Sequence, residues 1–261
     1  MYTAGIDIGS ISTKAVIMQD GRVIAHQVIF TGYNAEAAGG KAFEMVLAGA
    51  NLAPPDIRRI IATGYGRKSV SFADKAVTEI MCHAAGARHL NPQIRSVIDI
   101  GGQDSKAILL DESGRVVNFV MNDKCAAGTG RFLEVMARAL EVNLDEFGKL
   151  SLEAEAPSKI SSLCTVFAES EVISLIARGE KRENIIAGIH ESICVRVLAM
   201  ANRVGIRIPI AMTGGVARNI GVVRAFEKVI ASPVEVSPYA QVNGAIGAAW
   251  LAQNPDLFPT A

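Results

Sequence analysis

Apolar positions fall into two repeating patterns along the chain, one of period two and one of period near 3.6. From Ile6 the string IDIGSISTKAVIM reads as strand, tight glycine turn and second strand. The polar turn Asp20-Gly21 then hands the chain to a third alternating run that starts at Arg22-Val23. The string from Ile98, IDIGGQDSKAILL, aligns on the first without a gap 92 positions later, and six of its thirteen positions are identical. Ile6, Asp7, Ile8, Gly9, Lys14 and Ala15 match Ile98, Asp99, Ile100, Gly101, Lys106 and Ala107. The second copy also reaches a polar turn, Glu112-Ser113-Gly114, followed by Arg115-Val116. Coincidence of the Asp, the Gly and the Lys predicts a duplicated three-stranded unit.

Behind each triplet the pattern changes to helices and single strands. The first half predicts a helix over 35–49, a strand over 57–62 and a helix over 76–89. The second predicts helices over 129–142, 169–178 and 184–204, a strand over 208–212, a helix over 219–230, a short strand over 234–236 and a closing helix over 244–252. Strand triplets alternating with helices predict an α/β fold of two related domains. We expect the first domain to span 1–92, completed by the C-terminal helix 243–261, and the second to span 93–242.

Composition narrows the function classes. Of 261 residues, 50% are hydrophobic but only 5% aromatic, so the core is built from small aliphatic side chains. Lys+Arg 26 balance Asp+Glu 26, and no basic stretch offers the phosphate attraction on which nucleic-acid binding depends. No nucleic-acid partner is expected. The most apolar run, near 244–252, is shorter than the ~20 residues of a bilayer span, so no membrane span is expected either. Asp7 interrupts the one apolar run at the N-terminus, without a basic lead or cleavage site, which predicts a cytoplasmic protein. In that compartment its 4 Cys are poor disulfide candidates and better candidates for buried thiols, metal or redox work.

The repeated hairpins carry a carboxylate at a strand end beside a turn whose backbone N–H groups are not shielded by side chains. Such turns approach phosphate oxygens closely. Two of them facing each other across a cleft are suited to one triphosphate, with Asp7 and Asp99 holding Mg²⁺ through its waters and Lys14 reaching a phosphate as a point charge. A third glycine turn, Thr213-Gly214-Gly215-Val216-Ala217-Arg218-Asn219, follows a predicted strand and opens a helix, a suitable place for a nucleotide.

These turns resemble those of the superfamily that includes actin, the 70-kilodalton heat-shock chaperones, and sugar and acetate kinases. Within it, the chain is most similar to the ATPase activators of 2-hydroxyacyl-CoA dehydratases, related to the ATPase subunits of benzoyl-CoA reductase. The strings that carry the likeness are Thr63-Gly64-Tyr65-Gly66-Arg67, Ile98 to Asp104, Met121-Asn122-Asp123-Lys124-Cys125-Ala126-Ala127-Gly128-Thr129-Gly130-Arg131-Phe132, and Cys164-Thr165-Val166-Phe167-Ala168-Glu169-Ser170-Glu171. The resemblance implies two duplicated ribonuclease-H-like, actin-like ATPase domains with a nucleotide cleft between them. It implies phosphate contacts from Gly9, Ser10, Ile11, Ser12, Thr13, Lys14, Gly101, Gly102 and Gln103. Asp7, Asp99 and Asp104 are then near Mg²⁺, and Gly214, Gly215, Val216, Arg218, Asn219 and Gln241 serve the nucleoside side of ATP or ADP. Either Gln103 or Asp104 orients the attacking water.

Cys125 and Cys164 each stand shortly before a predicted helix, where free N–H groups and the positive helix end stabilise anionic sulfur. Read from the residues alone, they are buried thiols, a zinc site or ligands of an iron–sulfur cluster, which takes four thiolates. The resemblance implies the last: one oxygen-sensitive [4Fe-4S] cluster shared across a homodimer, reduced by a ferredoxin or flavodoxin and discharged to a cluster-bearing dehydratase or reductase. Cys82 and Cys194, inside helices among apolar neighbours, read as buried thiols. Glu169 and Glu171 read as first-turn complements of a helix dipole, and Lys124 and Arg131 either meet an acidic partner or are simply solvated. A small-molecule kinase of the same superfamily is the alternative function. It leaves both cysteine strings without a role.

Overall fold

The computed structural model describes residues 1–161 and 164–257. The chain forms two compact units, one of Met1–Ile94, Leu110–Val117 and Gln241–Ala261, the other of Arg95–Leu109 and Asn118–Ala240.

In the first unit the apolar alternation produces strands β1 (Tyr2–Ile8), β2 (Ser12–Gln19) and β3 (Arg22–Phe30), joined antiparallel in a meander. The β2–β3 turn places Asp20 and Gly21 both at positive φ, the conformation a two-residue hairpin requires. Helix α1 (Ala35–Ala50) begins where the Asn34 side chain accepts the Ala37 N–H and ends at Asn51 in the left-handed region. Strand β4 (Ile57–Thr63) returns parallel to β1, the two-residue β5 (Lys75–Ala76) extends the sheet to the order β3-β2-β1-β4-β5, and α2 (Glu79–Leu90) follows under a Thr78 cap. Helix α8 (Asn243–Gln253) packs on β1 and α2 at backbone range. A Cβ on Gly5 would collide with the Ala245 carbonyl, and one on Gly247 with the Cys82 carbonyl. Residues 258–261 of the predicted closing segment lie outside the described residues.

The second unit repeats this plan. Strands β6 (Ser96–Ile100), β7 (Ser105–Leu110) and β8 (Val116–Asn122) are followed by helices α3 (Gly130–Ala139), α4 (Leu144–Leu150), α5 (Thr165–Ala177) and α6 (Arg182–Ala201). Strand β9 (Ile210–Thr213), helix α7 (Ile220–Ile230) and strand β10 (Val234–Glu235) complete it. Sheet order is β10-β9-β6-β7-β8, with β9 parallel to β6, so both sheets have one topology: a hairpin triplet flanked by a returning parallel strand. The largest core lies here, with Phe132, Phe147, Ile185, Ile189 and Phe226 buried against β6 and β9 residues.

Some elements differ from the sequence reading; among them, β5 stands where a helix was expected to begin at 76. Helix α5 starts at Thr165 rather than Glu169, because Cys164 is extended and serves as its cap. The β-branched and aromatic residues at its start have low helix propensity, which hid the first turn from composition. Glu171 consequently lies beyond that turn and accepts the Ser161 N–H. Helix α4 was absent from the expectations altogether; Gly148 in its middle obscures the pattern, and its Cβ-less face is pressed on Asn219. Beyond the short run near 244–252, the longer stretch Arg182–Val204 is apolar enough by length and composition to cross a membrane, yet 67% of its most apolar window is buried. It is the central helix of the second unit's core.

Candidate functional site: paired aspartate hairpins and a cysteine loop

The two repeats place their carboxylates alike. Asp7, at the end of β1, stands opposite Lys14 on β2 and Thr63 on β4, and Asp99 stands opposite Lys106 on β7 and Thr213 on β9. Lys14 Nζ lies 3.3 Å from Asp7 Oδ2, and Lys106 Nζ lies 3.2 Å from Asp99 Oδ2. Cross-strand lysines therefore neutralise both buried carboxylates, which burial would otherwise penalise.

The parallel extends to a position that sequence comparison had not paired. Gly64 after β4 and Gly214 after β9 both have positive φ, +84° and +88°. A Cβ on Gly64 would meet Asp7 Oδ1 and the Ile8 carbonyl; one on Gly214 would meet Asp99 Oδ1 at 2.9 Å and the Ile100 carbonyl. Thr63-Gly64 and Thr213-Gly214 are the same turn in the two copies, each closing over its aspartate. The only sequence signal is a Thr-Gly pair after an apolar strand, too short to align by itself.

The turns themselves are held differently. In the first, Gly9 N donates to Ser12 O (3.1 Å), and Thr31 serves as a buttress: its hydroxyl donates to Gly9 O (2.8 Å) and its N–H to Ile11 O (2.9 Å). The N–H groups of Ser10 and Ile11 have no partner among the described residues, and Ser10 is exposed. Ser12 is half-buried, whereas the Thr13 hydroxyl is buried against Thr31 Oγ1 at 2.9 Å. In the second turn, Gly101 N donates to Asp104 O (2.9 Å), while Gly101 O and Gly102 O accept the Gly130 and Arg131 N–H groups, each at 2.8 Å. Gln103 is exposed at the tip, and Asp104 pairs with Lys106 at 2.8 Å. Lys106 is 2% exposed and faces two carboxylates.

The glycine turn after β9 joins the same place. Thr213 Oγ1 donates to Asp99 Oδ1 (2.8 Å), Gly214 N to Ala240 O (3.0 Å), and a Cβ on Gly130 would lie 3.2 Å from Gly101 O and 3.4 Å from Val216. Gly101, Gly102, the start of α3 and Gly214-Gly215-Val216 thus converge within one unit. Arg218 and Gly215 are exposed there. Asn219 caps α7 through Oδ1, and its Nδ2 lies 3.3 Å from His190 Nε2. His190 is buried against Phe147, and desolvation pushes its pKa down to about 3. It is neutral. Gln241 is half-buried in the first unit.

Cys125 is half-buried in a loop pinned on both sides. Asn122 at the end of β8 accepts the Cys125 N–H (3.3 Å) and donates to Cys125 O (2.9 Å) and Ala127 O (3.3 Å), while the Thr129 hydroxyl donates to Ala126 O (2.6 Å). Arg196 Nη2 reaches Cys125 Sγ at 3.2 Å. Cys164, also half-buried, caps α5. By contrast, Cys82 and Cys194 are fully buried, and desolvation pushes both thiols up to about 12. Among the described residues no group of three or more His, Cys, Asp or Glu is placed to hold a metal ion. Cys125 and Cys164 are the two thiols of intermediate burial, half the number an iron–sulfur cube takes, and soft thiolate donors are of the kind such a group requires. Arg131 pairs with Glu134 at 2.9 Å, and Lys124 is exposed.

Residues 4–252 match the BadF/BadG/BcrA/BcrD ATPase family. The activator of lactoyl-CoA dehydratase from Anaerotignum propionicum is 52% identical over 256 residues, covering 97% of each chain. Component A of (R)-2-hydroxyglutaryl-CoA dehydratase from Acidaminococcus fermentans superposes with a TM-score of 0.94 at 46% identity, covering 98% of each chain. The Clostridium difficile activator of 2-hydroxyisocaproyl-CoA dehydratase, solved with bound ADPNP, superposes with a TM-score of 0.92 at 44% identity over 100% of each chain. The two-sheet mixed α/β fold is that of the actin-like ATPases and is shared with ROK-family sugar kinases. The chain belongs to the BadF/BadG/BcrA/BcrD ATPase family, and its close relatives include activators of 2-hydroxyacyl-CoA dehydratases.

Proposed function

We propose that this protein is an ATP-hydrolysing electron donor that activates a 2-hydroxyacyl-CoA dehydratase or related reductase. Its phosphate-binding turns are 9–14 and 101–103, with Asp7 and Asp99 on the Mg²⁺ side and Gln103 or Asp104 orienting the hydrolytic water. Two carboxylates, Asp99 and Asp104, meet at the second turn and suit a cation there. The turn 214–219 and Gln241 take the nucleoside. Cys125 and Cys164, with the same pair from a second copy of the chain, would hold a [4Fe-4S] cluster in a cytoplasmic homodimer. When bound, that group supplies one low-potential electron, received from a ferredoxin or flavodoxin.

The observation that carries this reading is the pair of hydrogen bonds from Gly130 and Arg131 to Gly101 and Gly102. They join a phosphate turn to the helix that follows the Cys125 loop, so that a change at the γ-phosphate position is felt at α3. Its relatives' activator function favours this reading over phosphoryl transfer to a small molecule.

Anaerobic purification tests it. The protein is expected to be brown, with about four irons per dimer, and to bleach in air. Asp99→Asn is expected to keep its iron while hydrolysis falls about 10²–10³-fold, the size of one lost electrostatic contact to developing charge. A colourless anaerobic preparation that binds ATP but takes up no iron and sulfide would overturn the electron-donor reading and leave an ATPase alone.

A further inference from the structure

Helix α6 presents two neighbouring residues to different ends. Cys194 points into the core, its Sγ 3.6 Å from Val222 O, whereas Arg196 runs out to the Cys125 loop. The loop is shaped to admit it. Gly128 lies at φ +89°, and a Cβ there would sit 3.2 Å from Arg196 Cδ and 3.6 Å from its Cγ. The missing side chain makes room for the arginine stem, whose Nη2 then meets Cys125 Sγ at 3.2 Å. Meanwhile Asn122 fixes the Cys125 backbone from the opposite side through both its N–H and its C=O. Thiol and guanidinium are thus placed by separate elements, β8 and α6, and brought together by one glycine.

We infer that Arg196 is a positioning residue for the redox group, a charged hydrogen-bond donor to the Cys125 sulfur that sets how readily the cluster accepts its electron. This rests on the proposed cluster reading. The step it governs transfers one electron from a one-electron donor of the ferredoxin class; no bond forms or breaks and no proton moves. The added negative charge is shared by the thiolate sulfurs, and hydrogen bonds to those sulfurs are among the levers that set cluster potentials. A donor that is itself cationic stabilises the reduced form more than the oxidised one. The guanidinium fork keeps this contact in one geometry, which the single ammonium of a lysine does not.

The test is a redox titration of the anaerobic dimer, with Arg196→Gln and Arg196→Lys beside the wild type and iron counted in each. We expect full iron in all three. The reduction equilibrium of Arg196→Gln should shift at least tenfold toward the oxidised form, 59 mV for a one-electron couple, and Arg196→Lys should recover part of that shift. Loss of iron in the Gln variant alone, with the Lys variant loaded, also supports a role at the sulfur. Wild-type potential in a fully loaded Arg196→Gln protein overturns the inference and leaves the cluster reading standing, as does loss of iron in both variants, which would make Arg196 structural. Wild-type protein that takes up no iron overturns both.

Discussion

Replacing Lys106 by Met is the sharpest probe of the second hairpin. Methionine keeps the length and the apolar stem but deletes an ammonium that is 3.2 Å from Asp99 and 2.8 Å from Asp104. The Asp99 side chain is 3% exposed and retains the Thr213 hydroxyl, while the Asp104 side chain is 28% exposed and regains water. The loss therefore falls mainly on Asp99, a buried carboxylate without its counter-ion, for which the expected cost is about 3–5 kcal/mol. At about 2–4 °C per kcal/mol, melting should drop by about 6–20 °C. In the double variant Lys106→Met/Asp99→Asn no orphan charge remains, and the amide oxygen still accepts from Thr213. Urea unfolding should show at least half of the lost stability restored. Lys14→Met is the internal comparison: its side chain is 14% exposed and faces Asp7 alone among carboxylates, so a loss of about 1–3 kcal/mol is expected. Should Lys106→Met cost under about 1 kcal/mol, or should the two substitutions simply add, the buried charge pair is not what holds this hairpin.

His190 titrates at about 3 in the folded chain against an ordinary 6.5, so the unfolded chain binds the extra proton and stability falls as pH drops from 6.5 toward 3. Urea midpoints of His190→Gln should decline less steeply over that window, by up to about 1.4 kcal/mol per pH unit; parallel profiles would refute the buried neutral imidazole. Gly64→Ala and Gly214→Ala should each lose more than about 2 kcal/mol, from positive φ plus displacement of Asp7 or Asp99. By contrast, Gly40→Ala and Gly49→Ala, in α1 with open space around them, should be neutral or stabilising on chemical denaturation. Iodoacetamide at pH 8 should label Cys125 and Cys164 in metal-free protein and leave Cys82 and Cys194, raised to about 12 by burial, unmodified by mass spectrometry until the chain unfolds.

Much of the architecture was legible because duplication and period two are local signals. The Asp, Gly and Lys of each hairpin repeat at a constant offset, and the structure gives both triplets one topology. What stayed hidden depends on contacts distant in sequence. Thr31 supports the first turn from 22 residues away, Arg196 reaches Cys125 from 71, and Thr213 reaches Asp99 from 114. None carries a spacing rule. His190 is hidden for the same reason: an isolated histidine gives no sign of the Phe147 and Gly221 surfaces that bury it. The helix starting at Thr165 was misjudged because propensity describes side chains, whereas the extended Cys164 backbone decides where the helix begins.

The differences between the copies say more about mechanism than their likeness. Position by position, Ser12 of the first turn corresponds to Asp104 of the second, so Lys14 faces one carboxylate where Lys106 faces two. Gly9 O accepts from the Thr31 hydroxyl in the first copy, whereas its equivalent Gly101 O, with Gly102 O beside it, accepts from the opening amides of α3 in the second. A threonine buttress ties a turn to its own sheet. A helix buttress ties it to whatever that helix carries, and the residues leading into α3 are Cys125 to Thr129. The first hairpin is thus a turn braced within its own unit, and the second is a turn that cannot move without moving the start of the cysteine loop's helix. If α3 transmits the state of the nucleotide, a substitution that shortens the Thr129 side chain should loosen that link without touching either turn. Thr129→Ala removes the 2.6 Å bond to Ala126 O and leaves the Gly101–Gly130 bond in place. Amide exchange at 126–131 should rise about fivefold for each kcal/mol lost from local opening, with ADP affinity unchanged. Exchange that rises equally across the whole second unit would show a general loss of stability instead, and the helix would then be a passive wall of the site.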